Sequence, residues 1–235
     1  MYNIETRIRY SECGTDNKLK VASLINYFQD CTTENSEQIG AGFSFLQEKK
    51  RAWILNSWQI EIKRRPEVGE AVKVSTWATG FQGVFGPRDF CMTALDGEIL
   101  ARAHSLWVYI DTETGRPMKP TEDEIAMYDV GEPIAMKPVS RKIGFPKEAK
   151  EVDAFVVRKY HIDTNQHVNN SQYIQLAWEI VPKDYEVSGL RVEYKKAAVL
   201  GDTLVAKLVE QDEKIIVGLC DEEGNPYAIV EFTGE

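Results

Sequence analysis

Two stretches of this chain can be laid on one another, and that narrows its fold more than any other feature. The segment IEIKRRPEVGEAVKV (60–74) matches VEYKKAAVLGDTLVA (192–206), pairing Glu61 with Glu193, Lys63 with Lys195, Gly69 with Gly201 and Glu70 with Asp202. Farther on, DGEILA (96–101) matches EGNPYA (223–228), which pairs Gly97 with Gly224 and Ala101 with Ala228. A chain that repeats itself once is read as one structural unit used twice.

The hydrophobic pattern fills in that unit. Ile4, Thr6, Ile8 and Tyr10 alternate with charged or polar residues, which predicts a first strand. Val21, Leu24, Ile25 and Phe28 follow i, i+3, i+4, i+7 spacing and predict a helix from about Lys20. Four runs rich in β-branched and aromatic residues come next, at 52–64, 71–78, 88–95 and 99–110, with turn signals at 66–69 and 96–97. The second half starts again with a strand at 151–160. An amphipathic helix follows at 170–181, with Tyr173, Ala177 and Ile180 on one side. Strands at 190–198, 203–210, 214–220 and 227–232 complete it, with a turn at 221–225.

Each half therefore reads as strand, helix and four-stranded meander. A helix on an antiparallel sheet is a one-sided layer, and two such layers can close against each other. The expected class is α+β: units at 1–130 and 151–235, joined by a linker at 131–150, forming a pseudo-dimer. The wider stretch 112–150 holds Pro117, Pro120, Pro133, Pro138 and Pro146, and is expected to run over the surface rather than to pack.

Composition removes several classes of function. At 235 residues and 43% hydrophobic, the chain can bury a core without disulfides or metal. A net charge of −9 argues against a broad phosphate-binding surface, and so against a nucleic-acid binder. Cys13, Cys31, Cys91 and Cys220 form no CxxC pair and no cluster with histidine, so neither zinc nor a redox motif is expected. Four reduced thiols, no apolar core behind a basic N-terminal start and no stretch long enough to cross a bilayer point to a cytoplasmic protein with no membrane span. Walker, dinucleotide and HExxH signatures are absent. The segment Gly40-Ala41-Gly42-Phe43-Ser44 lacks the strand–turn–helix context and final glycine of a nucleophile elbow. The basic clusters at 49–51, 63–65 and 195–196 are solvated faces or, on an acidic chain, docking points for an acidic partner.

The segment 160–170, YHIDTNQHVNN, carries the chemistry. Asp163, Asn165 and His167 are spaced by two, and in an extended chain would project to one side. The segment ends where the second helix begins, with Asn170 or Ser171 as the expected cap. An acid, an amide and an imidazole beside a helix N-terminus could polarise a carbonyl and position a water. The bland alternative is a polar loop whose Asp and Asn form turns and caps. Aligned through the helix starts, the first half offers Thr15, Asn17 and Leu19 opposite Asp163, Asn165 and His167, which suggests one active site per chain. His104 and His161 read as structural histidines.

The repeat, the segment DTNQHVNNSQYIQLAWEIVP and the first-half LWVYIDTETGRPMKP resemble the acyl-acyl carrier protein thioesterases, the plant-type family with bacterial members. The resemblance covers nearly the whole chain and implies two tandem hotdog folds, each a long helix wrapped by an antiparallel sheet. It implies hydrolysis of fatty acyl thioesters on acyl carrier protein within fatty acid biosynthesis, with no cofactor and no metal. By position, the family's catalytic aspartate, asparagine and histidine fall on Asp163, Asn165 and His167. A glutamate and a cysteine often present in that family fall on Ala197 and Ala198, so neither can serve here. Acids of the first helix, Asp30 or Glu34, are candidate replacements. The expected partner is acyl carrier protein bearing a fatty acyl chain; self-association into a homo-oligomer is left open. The rivals are an acyl-CoA thioesterase of the same fold and a non-catalytic acyl-binding protein. A hydratase would place its histidine five residues after the aspartate and a proline between them, and is discounted.

Overall fold

The computed structural model describes residues 1–146, 148–211 and 213–234. The chain divides into two compact units: Met1–Asn56 with Lys63–Lys137, and Ser57–Ile62 with Pro138–Glu235.

In the first unit, strand β1 (Tyr2–Arg7) leads through a 3-10 turn at Tyr10–Glu12 into helix α1 (Val21–Gln38). A short helix α2 (Phe43–Glu48) and strands β2 (Arg51–Ile62), β3 (Ala71–Ala78), β4 (Phe85–Ala94) and β5 (Ile99–Asp111) follow, then helix α3 (Glu122–Ala126). The helical spacing read from the sequence is the buried stripe of α1: Val21, Leu24, Ile25, Phe28 and Cys31 all face inward. Phe28 meets Phe90 of β4 at 5.1 Å between ring centroids. Each such side chain stabilises the fold by about 1.5–3 kcal/mol, which is what holds a helix with no side-chain N-cap in place.

The second unit repeats the plan with β6 (Lys150–Val156), a 3-10 turn at Lys159–His161, helix α4 (Asn170–Trp178), β7 (Val187–Tyr194), β8 (Thr203–Gln211), β9 (Lys214–Cys220) and β10 (Pro226–Gly234). Helix α4 has nine residues against eighteen in α1. It stops short of the expected residue 181 because Pro182 cannot continue a helix and disfavours helical geometry in the residue before it. Its cap is Asn169, one residue before the expected pair; the Asn169 side-chain oxygen accepts from both the backbone N–H and the hydroxyl of Ser171, each at 2.9 Å.

The repeat pairs inferred from the sequence occupy equivalent positions. Lys63 N–H donates to Leu100 O, and Lys195 N–H to Tyr227 O, both at 2.8 Å. Gly69 and Gly201 both adopt left-handed backbone, φ 80° and 93°, at the same turn, where any side chain would be strained.

The expected simple meander is corrected in both units. In the first, the order is β1-β3-β4-β5-β2, with β2 beside β5 rather than beside its successor β3; in the second, the 57–62 part of β2 precedes β7-β10-β9-β8-β6. Strand β7 therefore lies beside β10 rather than beside its successor β8. The link 195–202 must cross past β10 and β9 to start β8, next to the edge strand β6, and this crossing brings Ala198 and Gly201 to the site described below.

The stretch 112–150 runs over the surface for most of its length, as expected, yet it is pinned at several points. Thr121 and Glu124 cap α3 reciprocally, and Tyr109 donates to Glu124 at 2.7 Å. Trp77 donates its indole N–H to Glu132 O at 2.9 Å, and Ile134 N–H donates to buried Asp89 at 2.7 Å. Ile143 joins the buried cluster with Ile216 and Ile229, and its N–H donates to Glu193 at 2.9 Å. Phe145 lies over Gly218, where a Cβ would come within 2.4 Å of the ring. Proline count marked this stretch as irregular; it could not reveal that buried carboxylates and one glycine anchor it.

Candidate active site

Residues 162–168 form a tight hairpin, not an extended segment. Ile162 and Val168 bridge as antiparallel partners, Asp163 N–H donates to His167 O at 2.8 Å, and Gln166 N–H returns to Asp163 O at 3.1 Å. Gln166 closes the turn in left-handed backbone, φ 62°. Oδ1 of Asp163 accepts from Asn165 N–H at 2.8 Å and from His167 N–H at 3.4 Å. The two-residue spacing that suggested a common face thus serves an Asx turn, and the aspartate holds the loop that displays the other two. Asp163 is half-buried, whereas the side chains of Asn165 and His167 are exposed.

The hairpin is anchored on both flanks. Val168 N–H donates to Ala198 O at 2.9 Å, and Ala198 N–H donates to the hydroxyl of Tyr173 on α4 at 2.8 Å. Tyr194 donates to Asn170 O at 3.0 Å, and its ring meets Tyr173 edge-on at 5.8 Å. Burial pushes the Tyr173 phenol up to about 12, so it stays a neutral hydroxyl. Tyr173→Phe leaves the buried Ala198 N–H without an acceptor. We expect a loss of about 1–3 kcal/mol in urea unfolding.

On the upstream flank, His161 is 4% exposed and its Nδ1 accepts from Arg158 N–H at 3.0 Å, so the neutral ring carries its proton on Nε2. Burial, and then the charge of Arg158, push its pKa below the ordinary 6.5. As pH falls past that ordinary value the unfolded chain takes the proton before the folded one does. Stability is therefore full above it and is lost as pH drops through the lowered folded value. We expect the thermal midpoint to fall between about pH 7.5 and about pH 5.5, and to fall less in His161→Gln. Equal falls in both proteins would assign the acid sensitivity elsewhere.

Comparing the two hairpins corrects the alignment made through the helix starts by one residue. In the first unit Cys13 and Leu19 bridge, Gly14 N–H donates to Lys18 O at 2.9 Å, and Asn17 takes φ 65°. Gly14, Asp16 and Lys18, not Thr15, Asn17 and Leu19, thus stand where Asp163, Asn165 and His167 stand. The first hairpin is tied down by an ion pair between Asp16 and Arg65. The positions equivalent to that pair are Asn165 and Ala197: the second unit has removed the tie and left a small residue where the arginine was. The sequence alignment already set Arg65 against Ala197, but its meaning needed the Asp16 contact.

Glu193 and the two first-helix candidates have the following surroundings within their own units. Glu193 is engaged by Ile143 N–H at 2.9 Å and Lys195 at 2.5 Å. Asp30 and Glu34 line a cavity of about 360 Å³ within the first unit, shared with Glu5, Arg9 and Glu12. Burial and then the neighbouring Glu34 raise the Asp30 pKa. Among the described residues, no group of three or more His, Cys, Asp or Glu is arranged to hold a metal ion, and no helix is long and apolar enough to cross a membrane.

The fold defines the class: a double hotdog protein. Over 99% of this chain and 97% of the other, the structure superposes on an acyl-ACP thioesterase from Bacteroides thetaiotaomicron with a TM-score of 0.91 at 21% identity. The 12:0-ACP thioesterase from Umbellularia californica gives 0.86 at 22% identity over 100% and 96% of the two chains. The sequence matches the family profile of the acyl-ACP thioesterase N-terminal domain over residues 1–128 and that of the C-terminal domain over 144–229. The chain belongs to the acyl-ACP thioesterase family. A chloroplastic acyl-[acyl-carrier-protein] hydrolase from Cuphea viscosissima is 31% identical over 209 residues, which is 80% of this chain and 50% of that one. A palmitoyl-acyl carrier protein thioesterase from Gossypium hirsutum is 30% identical over the same shares. The chain thus spans about half the length of the curated relatives it matches.

Proposed function

We propose that this chain hydrolyses the thioester between a fatty acyl group and acyl carrier protein, releasing the free fatty acid for or from fatty acid biosynthesis, with Asp163, Asn165 and His167 as its catalytic group. The observation that carries this is the contrast between two copies of one hairpin. In the first copy Asp16, the counterpart of Asn165, is taken up by an ion pair with Arg65; the second displays an amide and an imidazole to solvent on a loop held from below by an aspartate.

In this reading Asn165 donates its side-chain amide N–H to the thioester carbonyl oxygen, where negative charge builds as the bond breaks. His167 takes a proton from the attacking water and passes it to the departing thiolate. Water adds to the carbonyl carbon, the C–S bond breaks, and a carboxylic acid and a thiol leave. Asp163 fixes the geometry of both partners through their backbone N–H groups. The reaction needs no metal and no organic cofactor, because a thioester carbonyl is already electrophilic. Units at 1–130 and 151–235 with a linker at 131–150 remain our functional division, and four free thiols fit a reducing, cytoplasmic setting.

The test is thiol release from a panel of acyl-carrier-protein and acyl-CoA thioesters. Release from the carrier-protein substrates supports the proposal and reports the preferred chain length. Release from CoA substrates alone makes the chain an acyl-CoA thioesterase. Acyl binding without any release makes it a binder, as the alanines at 197 and 198 would then imply.

A further inference from the structure

The repeat also provides an internal control for the surface beside the hairpin. Matched hydrogen bonds, Ile8 N–H to Glu70 O against Val157 N–H to Asp202 O, and Leu19 N–H to Pro66 O against Val168 N–H to Ala198 O, set the correspondence. Positions 7, 11, 67 and 68 of the first unit answer to 156, 160, 199 and 200 of the second. The first unit places Arg7, Ser11, Glu67 and Val68 there, with Val68 37% exposed, and shows its exposed aromatic, Tyr10, one position earlier in the turn, where the second unit has Lys159. The second places Val156, Tyr160, Val199 and Leu200, and leaves them 42%, 77%, 43% and 54% exposed. A fold that is built once with three polar residues at these sites does not require apolar ones, and grouped exposed apolar side chains mark a surface that something covers.

The backbone gathers these residues around the hairpin. Gly201 N–H donates to Val157 O at 3.1 Å, joining the turn of Leu200 to the end of β6, and the Val168–Ala198 bond joins the hairpin to the residue before Val199. Arg158 and Lys159 stand exposed beside Tyr160. The two neighbouring acids are engaged: Asp163 Oδ1 inside the hairpin, and Asp202 Oδ2 with Val199 N–H at 3.0 Å and Tyr227 OH at 3.1 Å. Both acids keep their charge but are turned into the loops that hold them, and Arg158 and Lys159 are the charges that stand exposed beside the apolar side chains. The small extent of the patch suits an encounter that must dissolve after every turnover and falls short of what a stable second copy of the chain would bury.

We propose that Val156, Tyr160, Val199 and Leu200, with Arg158 and Lys159, form the surface on which the acyl-bearing carrier docks, an acidic protein face around an apolar centre that presents its thioester to Asn165 and His167. This rests on the thioesterase reading above. The full-length chain is assayed with one acyl group in two forms, on carrier protein and on the small thiol N-acetylcysteamine. Leu200→Asp, and separately the pair Arg158→Glu and Lys159→Glu, are expected to raise KM for the carrier-bound substrate by about tenfold or more with kcat nearly constant. The small thioester, which cannot reach the patch, keeps its kcat/KM, and the penalty of the charge variant shrinks in high salt.

An unchanged KM for carrier-bound substrate in both variants overturns the proposal, as does a parallel loss on both substrates, which would mean a disturbed hairpin. A dimer seen by light scattering that Leu200→Asp dissolves makes the patch a self-interface and also overturns it. A wild-type chain that turns over neither substrate refutes the thioesterase reading itself and takes the docking surface with it; turnover of both with indifferent variants refutes the docking surface alone.

Discussion

His167→Ala is expected to lower turnover of an acyl-carrier-protein thioester by about 10²–10⁴-fold while far-UV circular dichroism and the thermal midpoint stay at wild-type values. The imidazole is exposed, and the hydrogen bonds that build the hairpin use the His167 backbone rather than its ring. Removing the ring therefore takes away chemistry without taking away structure. Asn165→Ala follows the same logic, since only its N–H enters the turn, and a lost donor to developing oxyanion charge costs about 10²–10³-fold. The two losses should not add, because both groups act on one transition state. Asp163→Asn keeps an oxygen that can accept from residues 165 and 167, so whatever activity it loses measures the carboxylate charge. Asp163→Ala loses the acceptor as well, and should be worse. Near-normal rates in both His167→Ala and Asn165→Ala would remove the proposed catalytic group altogether.

The second large effect concerns stability. Asp89 on β4 is 1% exposed; its Oδ1 lies 2.5 Å from His104 Nδ1 across the β4–β5 pair, and its Oδ2 accepts Ile134 N–H at 2.7 Å. Among the described residues His104 is the side-chain partner of this carboxylate, so His104→Ala leaves it buried with the Ile134 N–H as its donor. We expect a loss of about 3 kcal/mol in denaturant unfolding, since breaking a buried polar pair from one side leaves the other group desolvated. Adding Asp89→Asn to His104→Ala should recover much of that loss, because no charge is then stranded in the interior. If the double variant is less stable than the wild type by the sum of the two single losses, the carboxylate was not the source. The same experiment reports on the segment 130–134, because Trp77 indole fluorescence senses the strap that Asp89 helps to hold.

Much of this arrangement is legible in the sequence, for a simple reason. Strand and helix periods are local, so the apolar stripe of α1 and the bounds of β3 and β9 could be read from spacing alone. The repeat pairs Lys63 with Lys195 and Gly97 with Gly224 rested on identity at corresponding turns, and both glycines of the latter pair do take left-handed backbone, φ 97° and 86°. The short helices α2 and α3 escaped notice because one or two turns leave too few residues to display a period. The strand order escaped for the opposite reason: β7 beside β10 is a long-range choice that no local pattern encodes.

The site divides along the same line. Sequence by itself determined that this chain builds one α+β unit twice, and that Asp163, Asn165 and His167 stand in the second copy with no counterpart set in the first. Those facts depend on residue identity and spacing. Only the tertiary structure decided that the three residues close a hairpin instead of lining a strand, and that the aspartate is bound to the hairpin's own N–H groups at 165 and 167. It also decided that Ala197 stands where an arginine pins the other hairpin. A side chain's partner is set by which distant segments the crossing links bring together, and the link 195–202 brings Ala198 to Val168 across thirty residues of chain.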